Sequence, residues 1–237
     1  MKLPQPLAQG QLLKRYKRFF ADIELDDGQV ITAHLANTGS LKGCLEKGSL
    51  CVFSTHDDPK RKLKHSLHLI QTPGGWVGVN TSFPNILVRE LFESSPLQHW
   101  KDFAHCQSEV KINPQSRIDL KLWPEAGAQD LPAHFIEVKN VTLAENGVAL
   151  FPDAVTLRGQ KHLLELMNLL DQGHSAELVF VVQREDCHSF APADSIDPEY
   201  GRLLRQAQQK GVRLTALPFE FDGQEIQLKA QELTNRT

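Results

Sequence analysis

Turn signals cut the first eighty or so residues into pieces too short to be helices. Asp26-Asp27-Gly28, Asn37-Thr38-Gly39 and Pro73-Gly74-Gly75 are residue types that reverse a chain. Between them, residues 19–25 and 30–35 alternate apolar and polar, while 50–54 and 76–79 are apolar. Such short strands predict a small closed or half-closed β-barrel. A five-stranded oligonucleotide-binding (OB) barrel is one candidate, and turn spacing alone does not separate it from other small β folds.

Beyond this region the pattern changes to alternating helix and strand. Asn85 is read as the cap of a helix carrying the pairs Leu87/Leu91 and Val88/Phe92 on its buried side. Strand-like segments follow at 108–112, 116–123 and 134–143. A long helix then reaches about residue 171, with an apolar stripe of Leu163, Leu166, Met167 and Leu170 and with Gly173 at its end. The continuous run Leu178-Val179-Phe180-Val181-Val182 suits a strand buried on both faces. Asp197 and Pro198 open a last helix that Gly211 closes, and 212–217 returns as a strand. The expected fold class is α/β (α+β): a barrel over 1–82, then a mixed sheet flanked by helices over 83–237.

The net charge of −3 argues against a simple phosphate-coating protein, but the charge is unevenly distributed. Lys14-Arg15-Tyr16-Lys17-Arg18 and Lys60-Arg61-Lys62-Leu63-Lys64-His65 are dense basic runs in the first third. Either run by itself suits a solvated face. Two of them in one small region, one with a tyrosine inside, point to phosphate contacts by Lys14, Arg15, Lys17, Arg18, Lys60, Arg61 and Lys62, with Tyr16 stacking on a base. Cys44, Cys51, Cys106 and Cys187 form no C-x-x-C pair, and they read as reduced structural residues. No apolar stretch is long enough to span a membrane and no signal-peptide pattern opens the chain, so a cytoplasmic location is expected.

Two strands present carboxylates in a specific way. In the first, Ile118, Leu120 and Leu122 share a face, which turns Asp119 to the other side with Arg117 and Lys121. In the second, Ile136 and Val138 share a face, and Glu137 and Lys139 project together from the opposite one. On neighbouring strands Asp119, Glu137 and Lys139 converge. Two carboxylates with the Val138 carbonyl make a hard oxygen site for Mg²⁺ or Mn²⁺, to which Glu90 on the preceding helix adds a contact through water. A lone Glu-x-Lys pair is usually a solvated surface pair, so the signal lies in the order of helix, strand, strand and helix around it. Arg158, Lys161, His162 and Glu165 avoid the apolar stripe of the long helix. They read either as an exposed face or as residues that position phosphate near the carboxylates.

Several longer motifs resemble the bacterial sugar fermentation stimulation protein A family. They are Lys14-Arg15-Tyr16-Lys17-Arg18-Phe19, Asn37-Thr38-Gly39, Val79-Asn80-Thr81, Ser116-Arg117-Ile118-Asp119, Glu137-Val138-Lys139-Asn140-Val141-Thr142-Leu143 and Phe151-Pro152-Asp153-Ala154. The resemblance spans nearly the whole chain. It implies an N-terminal OB barrel, a C-terminal domain like the PD-(D/E)xK nucleases, binding to DNA, and a role in expressing sugar-utilisation genes. Asp119 matches that motif's first carboxylate, Glu137 and Lys139 match its Glu-x-Lys, and Glu90 matches its helix Glu by position. Asn140 and the insertion at 123–132 depart from the family's commonest pattern. The expectation is a DNA-binding protein with a metal-dependent phosphodiesterase domain. The alternatives are a regulator that binds DNA without cutting it, and an RNA-binding factor.

Overall fold

In the computed structural model, which describes residues 1–125 and 132–237, the turn signals of the first third fall between strands. These are β1 (Leu7–Tyr16), β2 (Phe20–Glu24), β3 (Val30–Leu35), β4 (Leu50–Thr55), β5 (His65–Thr72) and β6 (Gly75–Gly78). β1, β2 and β3 form an antiparallel meander, β4 pairs with the other edge of β1, and β5 pairs with β4. A parallel β3–β5 ladder then closes five strands into a barrel and leaves neither edge free, with β6 appended to β5 as a hairpin. Alternation supplies the interior: Ile31, Ala33 and Leu35 of β3 meet Leu12, Ile23, Phe53 and Leu67.

β1 and β5 have no counterpart in the sequence reading, and the reason is physical. A bulge between Leu12 and Lys14 breaks the alternation of β1. Gly10 on that strand is required by closeness, since a Cβ there would lie 2.6 Å from Ile23 Cγ2. β5 is covered on both faces, so His68 and Ser66 are buried beside Leu67 and Leu69 and the period of two disappears.

The second unit comprises α1 (Phe83–Ser94), β7 (His105–Asn113), β8 (Ser116–Trp123), β9 (His134–Val141), β10 (Leu143–Glu145), β11 (Val148–Phe151), α2 (Leu157–Asp171), β12 (Ser175–Val182), β13 (Ser189–Pro192), α3 (Pro198–Lys210), β14 (Arg213–Phe221), β15 (Ile226–Leu228) and β16 (Thr234–Asn235). Its main sheet runs β15-β14-β12-β9-β8-β7, parallel at β9, β12 and β14 and antiparallel toward both edges. α1 covers one face through Leu87, Val88 and Leu91, packed on Leu120, Ile136 and Val179. α2 and α3 cover the other through Leu163, Leu166, Leu203 and Leu204, packed on Phe135 and Phe180. A small second sheet, β10-β11-β13-β16, was not legible in the sequence, because strands of two to four residues are too short to show a period. Of the inserted segment at 123–132, residues 126–131 lie outside the described residues.

The helix signals are accurate for α3, where Asp197 accepts from the Tyr200 N–H and Gly211 takes a left-handed conformation at φ +113°. They fail for α1. That helix starts at Phe83 after Ser82, with a proline in its first turn, and Asn85 lies inside it with its side chain directed to Asp119. The two units are tied by the chain after β12: Gln183 O accepts from the Gly78 N–H at 2.9 Å, and Glu185 Oε2 accepts from the Trp76 N–H at 3.1 Å. The first three residues return to the second unit, where Leu3 N–H donates to Gln224 O at 3.1 Å. No helix of the described residues is long and apolar enough to cross a membrane.

Candidate functional site

The β8–β9 ladder runs Leu122↔His134, Lys121↔Phe135, Leu120↔Ile136 and then stops. The next pair in that register would be Asp119 opposite Glu137. Here the strands part, and the Asp119 side chain replaces the missing backbone partner: its Oδ2 accepts from the Val138 N–H at 2.7 Å. Its Oδ1 accepts from Asn85 Nδ2 of α1 at 2.7 Å. β8 twists at this point. Leu120 and Leu122 pack in the α1-side core, whereas Ile118 packs in the α2-side core, so the three do not share one face as alternation suggested. N–H and C=O of one strand residue leave by the same edge, so the Val138 carbonyl also projects toward Asp119.

Glu137 and Lys139 share a face of β9 as read from the sequence, with Lys139 Nζ 2.5 Å from Glu137 Oε1. The same carboxylate oxygen is bonded by His162 Nδ1 from α2. His162 is therefore buried and does not belong to an exposed helix face, while Arg158 and Lys161 beside it are exposed. Glu137 is itself only 3 % exposed, and its second oxygen, Oε2, has no hydrogen-bond partner among the described residues.

These environments push the two carboxylates apart. Burial raises Asp119 to about 6, helped by the nearby Glu137 charge and opposed by the Val138 N–H, Asn85 and Lys139. Burial also pushes Glu137 upward, but the His162 hydrogen bond and the Lys139 charge outweigh it and hold Glu137 below the usual glutamate range. A cation fits here for two reasons: it would satisfy the orphaned Glu137 oxygen, and it would offset the burial and the Glu137 charge that together raise Asp119.

Glu90 does not join this cluster. It is five residues beyond Asn85, about 140° further round the helix, and it pairs with the N-terminal amine of Met1 at 2.9 Å. Asn85, which the sequence reading cast as a cap, is the α1 residue that reaches the carboxylates. Next to His162 opens a groove of about 660 Å³ that carries Arg158, Lys161, Arg117 and Lys111 on its walls, with Glu109 the acidic exception.

The basic runs fall in two loops of the barrel. Lys14 to Arg18 form the end of β1 and its turn into β2, and Lys60, Arg61 and Lys62 lie in the β4–β5 loop. Their members have different tasks. The Arg15 guanidinium is spent internally on the carbonyls of Asn37 (2.8 Å), Arg18 (2.9 Å), Gly39 (3.0 Å) and Ser40 (3.3 Å). Tyr16 is likewise engaged, stacked on Phe20 with its hydroxyl 3.2 Å from Asp22 Oδ1. Lys14 lies 3.4 Å from Asp22. Lys17 and Arg18 occupy the turn with φ of +47° and +64°, conformations that cost about 1–3 kcal/mol each in a residue with a side chain. The exposed aromatic of this tip is Phe19, 41 % exposed and stacked on His34, which the sequence reading did not single out.

The fold and site together define a class: a five-stranded OB barrel joined to a mixed α/β sheet that has three α-helices among the described residues, with a buried carboxylate–lysine cluster where two strands part. Residues 13–79 match the family described as the SfsA N-terminal OB domain, and residues 82–225 match the sugar fermentation stimulation protein RE domain. The chain belongs to the sugar fermentation stimulation protein (SfsA) family. It is 51 % identical over 238 residues to the sugar fermentation stimulation protein homolog of Bdellovibrio bacteriovorus, covering 96 % of each chain. It is 50 % identical to the homolog of Citrifermentans bemidjiense, covering 97 % of each. Among solved structures it is similar to that of Pyrococcus furiosus SfsA in complex with Ca²⁺, with a TM-score of 0.85 and 25 % identity over 100 % of this chain and 98 % of that one.

Proposed function

We propose that this chain binds nucleic acid, DNA in the first instance, and hydrolyses phosphodiester bonds with the help of a divalent metal. One observation carries the catalytic reading: Asp119, Glu137 and Lys139 converge where β8 and β9 part, and Glu137 keeps a buried oxygen with no partner. Asp119, Glu137 Oε2 and the Val138 carbonyl would hold Mg²⁺ or Mn²⁺ as hard oxygen ligands. Such an ion supplies an acidified water and neutralises phosphoryl charge. The chain's own part is to orient Glu137 through His162 and to hold the Lys139 ammonium at the carboxylate, where it stabilises charge developing on a phosphate. The relative from Pyrococcus furiosus was solved with Ca²⁺, which takes oxygen ligands too.

The binding reading rests on the loops. OB barrels take oligonucleotides over strands 2 and 3 and the loops 1–2 and 4–5. Those two loops carry Lys17, Arg18 and Phe19, and Lys60, Arg61 and Lys62, with Phe19 stacked on His34 of β3. Cations kept at an unfavourable turn geometry also favour a phosphate-contacting role.

A second reading, a nucleic-acid-binding regulator that does not cut, is favoured by one feature. The Lys139 ammonium already balances the charge of Glu137, so the carboxylate needs no metal for that purpose. Cleavage assays with Mg²⁺ and Mn²⁺ on single strands, duplexes, flaps and junctions separate the two. Asp119→Ala is expected to lose Mn²⁺ binding by calorimetry as well as cleavage. Lys139→Ala is expected to keep metal and DNA binding and lose cleavage by on the order of 10²–10³-fold. Cleavage that persists equally in both variants is a contaminant, and no cleavage of any substrate selects the regulator.

A further inference from the structure

Between the barrel and the second unit lies a crevice of about 200 Å³ that the carboxylate cluster does not use. The barrel contributes Thr38 and Thr81 to its walls; the second unit contributes Asn140, Leu143, Phe151 and Asp153. We infer that this crevice receives one unpaired nucleobase, so that the substrate of the site proposed above is a single-stranded or locally unpaired nucleic acid. The inference rests on that nucleic-acid reading and narrows it.

Four observations carry it. First, the size suits a flat heterocycle: an apolar protein cavity of about 150 Å³ holds benzene, and this one is slightly larger. Second, its chemistry suits a base and not a phosphate. Lys, Arg and His do not occur among the described residues that line it, while an acidic residue, Asp153, does. Phe151 and Leu143 offer an apolar wall. Thr38 Oγ1, Asn140 Nδ2 and Asp153 Oδ1 have no hydrogen bond among the described residues, leaving donors and an acceptor for the edge of a base.

Third, the crevice is held open by bonds that do not depend on a ligand. Arg15 clamps the carbonyls of Asn37, Gly39 and Ser40, the Asn37 side chain donates to Val79 O at 3.0 Å, and Asp153 Oδ2 accepts from the Ser40 N–H at 2.7 Å. Gly39 is needed in this wall, because a Cβ there would lie 2.7 Å from Asp153 Oδ2. Fourth, its position borders the cationic tip of the barrel. Asn140 is the neighbour of Lys139 on β9, and alternation turns its side chain to the opposite face of the sheet, the face that meets the barrel. On the barrel side, the Arg15 that shapes the crevice also holds the carbonyl of Arg18 at 2.9 Å, so the exposed Lys17-Arg18 tip borders it. A phosphate on the cationic tip and its base in the crevice fit one nucleotide of a single strand laid along the barrel.

The test uses the full chain and a single-stranded oligonucleotide carrying one 2-aminopurine, against a duplex of the same sequence. Thr38 is exposed, so Thr38→Leu narrows the crevice without touching the core. The wild type is expected to change 2-aminopurine emission and to prefer the single strand. Thr38→Leu is expected to abolish the emission change and weaken single-strand affinity about tenfold, the worth of one base contact, with the salt slope unchanged. Circular dichroism identical to wild type certifies the fold, and Asn140→Ala serves as a second variant with the same expected loss. If single strand and duplex bind equally and neither variant matters, the crevice is not a base site and the nucleic-acid reading stands without it. If no nucleic acid binds at all, that reading itself fails. Stabilisation of the wild type but not Thr38→Leu by a free monosaccharide would assign the crevice to a sugar and overturn the inference.

Discussion

Glu177→Gln measures how strongly one buried carboxylate ties the second unit together. Glu177 is fully buried on β12, on the sheet face opposite Glu137, in a run that otherwise reads as apolar. Its carboxylate accepts from Trp100 Nε1 at 2.7 Å, His134 Nε2 at 2.8 Å, His99 Nε2 at 3.1 Å and Thr215 Oγ1 at 2.5 Å, with Arg213 Nε 3.7 Å away. A glutamine keeps one acceptor. Its oxygen can serve Trp100 and His134, and its NH₂ can donate to Thr215, whose hydroxyl turns to accept. What remains lost is the charge, most of the His99 bond and the attraction of Arg213. One to two hydrogen bonds to a charged acceptor, at about 1.5–3 kcal/mol each, give a cost of about 3 kcal/mol. At about 2–4 °C per kcal/mol for a chain of this size, the melting temperature falls by about 6–12 °C at neutral pH.

The same geometry fixes the pH dependence. Burial opposes ionisation of Glu177, but the hydrogen bonds from His134 and His99 outweigh it and hold the carboxyl well below the ordinary value of 4.5. A depressed acid contributes its stability above the unfolded value and loses it as the pH falls toward the folded one. The deficit of Glu177→Gln is therefore full at pH 7 and shrinks below about pH 4.5. Thermal denaturation of both proteins at pH 7 and pH 4 checks this. A melting difference under about 2 °C at pH 7 would mean that the carboxylate is replaceable and that its bonds do not anchor Trp100 and His99 to the sheet.

The basic hairpin separates into two kinds of arginine. Arg15→Ala removes four carbonyl contacts and is expected to cost about 2 kcal/mol in urea denaturation, whereas the Lys17→Ala, Arg18→Ala double variant should stay within about 0.5 kcal/mol of wild type. The double variant should instead reduce the slope of log affinity against log salt by about 2, and an unchanged slope would remove the tip from the interface. Burial, aided by His56 and Arg61, lowers His68 to about 4 from 6.5, so its neutral form is the folded one. The unfolded chain then binds the extra proton between pH 6.5 and 4, and stability through His68 is full above pH 6.5 and lost on the way to pH 4. Wild type should lose about 3 kcal/mol more than His68→Gln over that interval, and equal losses would refute the assignment.

How much of this was legible in the sequence depended on whether the deciding physics was local. Period-two alternation in β3, the Asp197–Pro198–Gly211 frame of α3 and the shared face of Glu137 and Lys139 follow from backbone geometry within a few residues, and the sequence determined them. The two-unit plan was legible for the same reason, as a change of period near residue 80. The tertiary structure decided what depended on partners distant in the chain. Asp119 meets Val138 only because β8 and β9 part after Leu120, and Asn85 displaces Glu90 from the cluster because of the rotational phase of α1. His162, Arg15 and Glu177 look like solvated polar residues in the sequence, yet His162 and Glu177 are buried and the Arg15 guanidinium is enclosed by carbonyls. A charged or polar side chain is exposed by default, and only a full set of donors or acceptors brought from elsewhere in the chain makes its burial affordable.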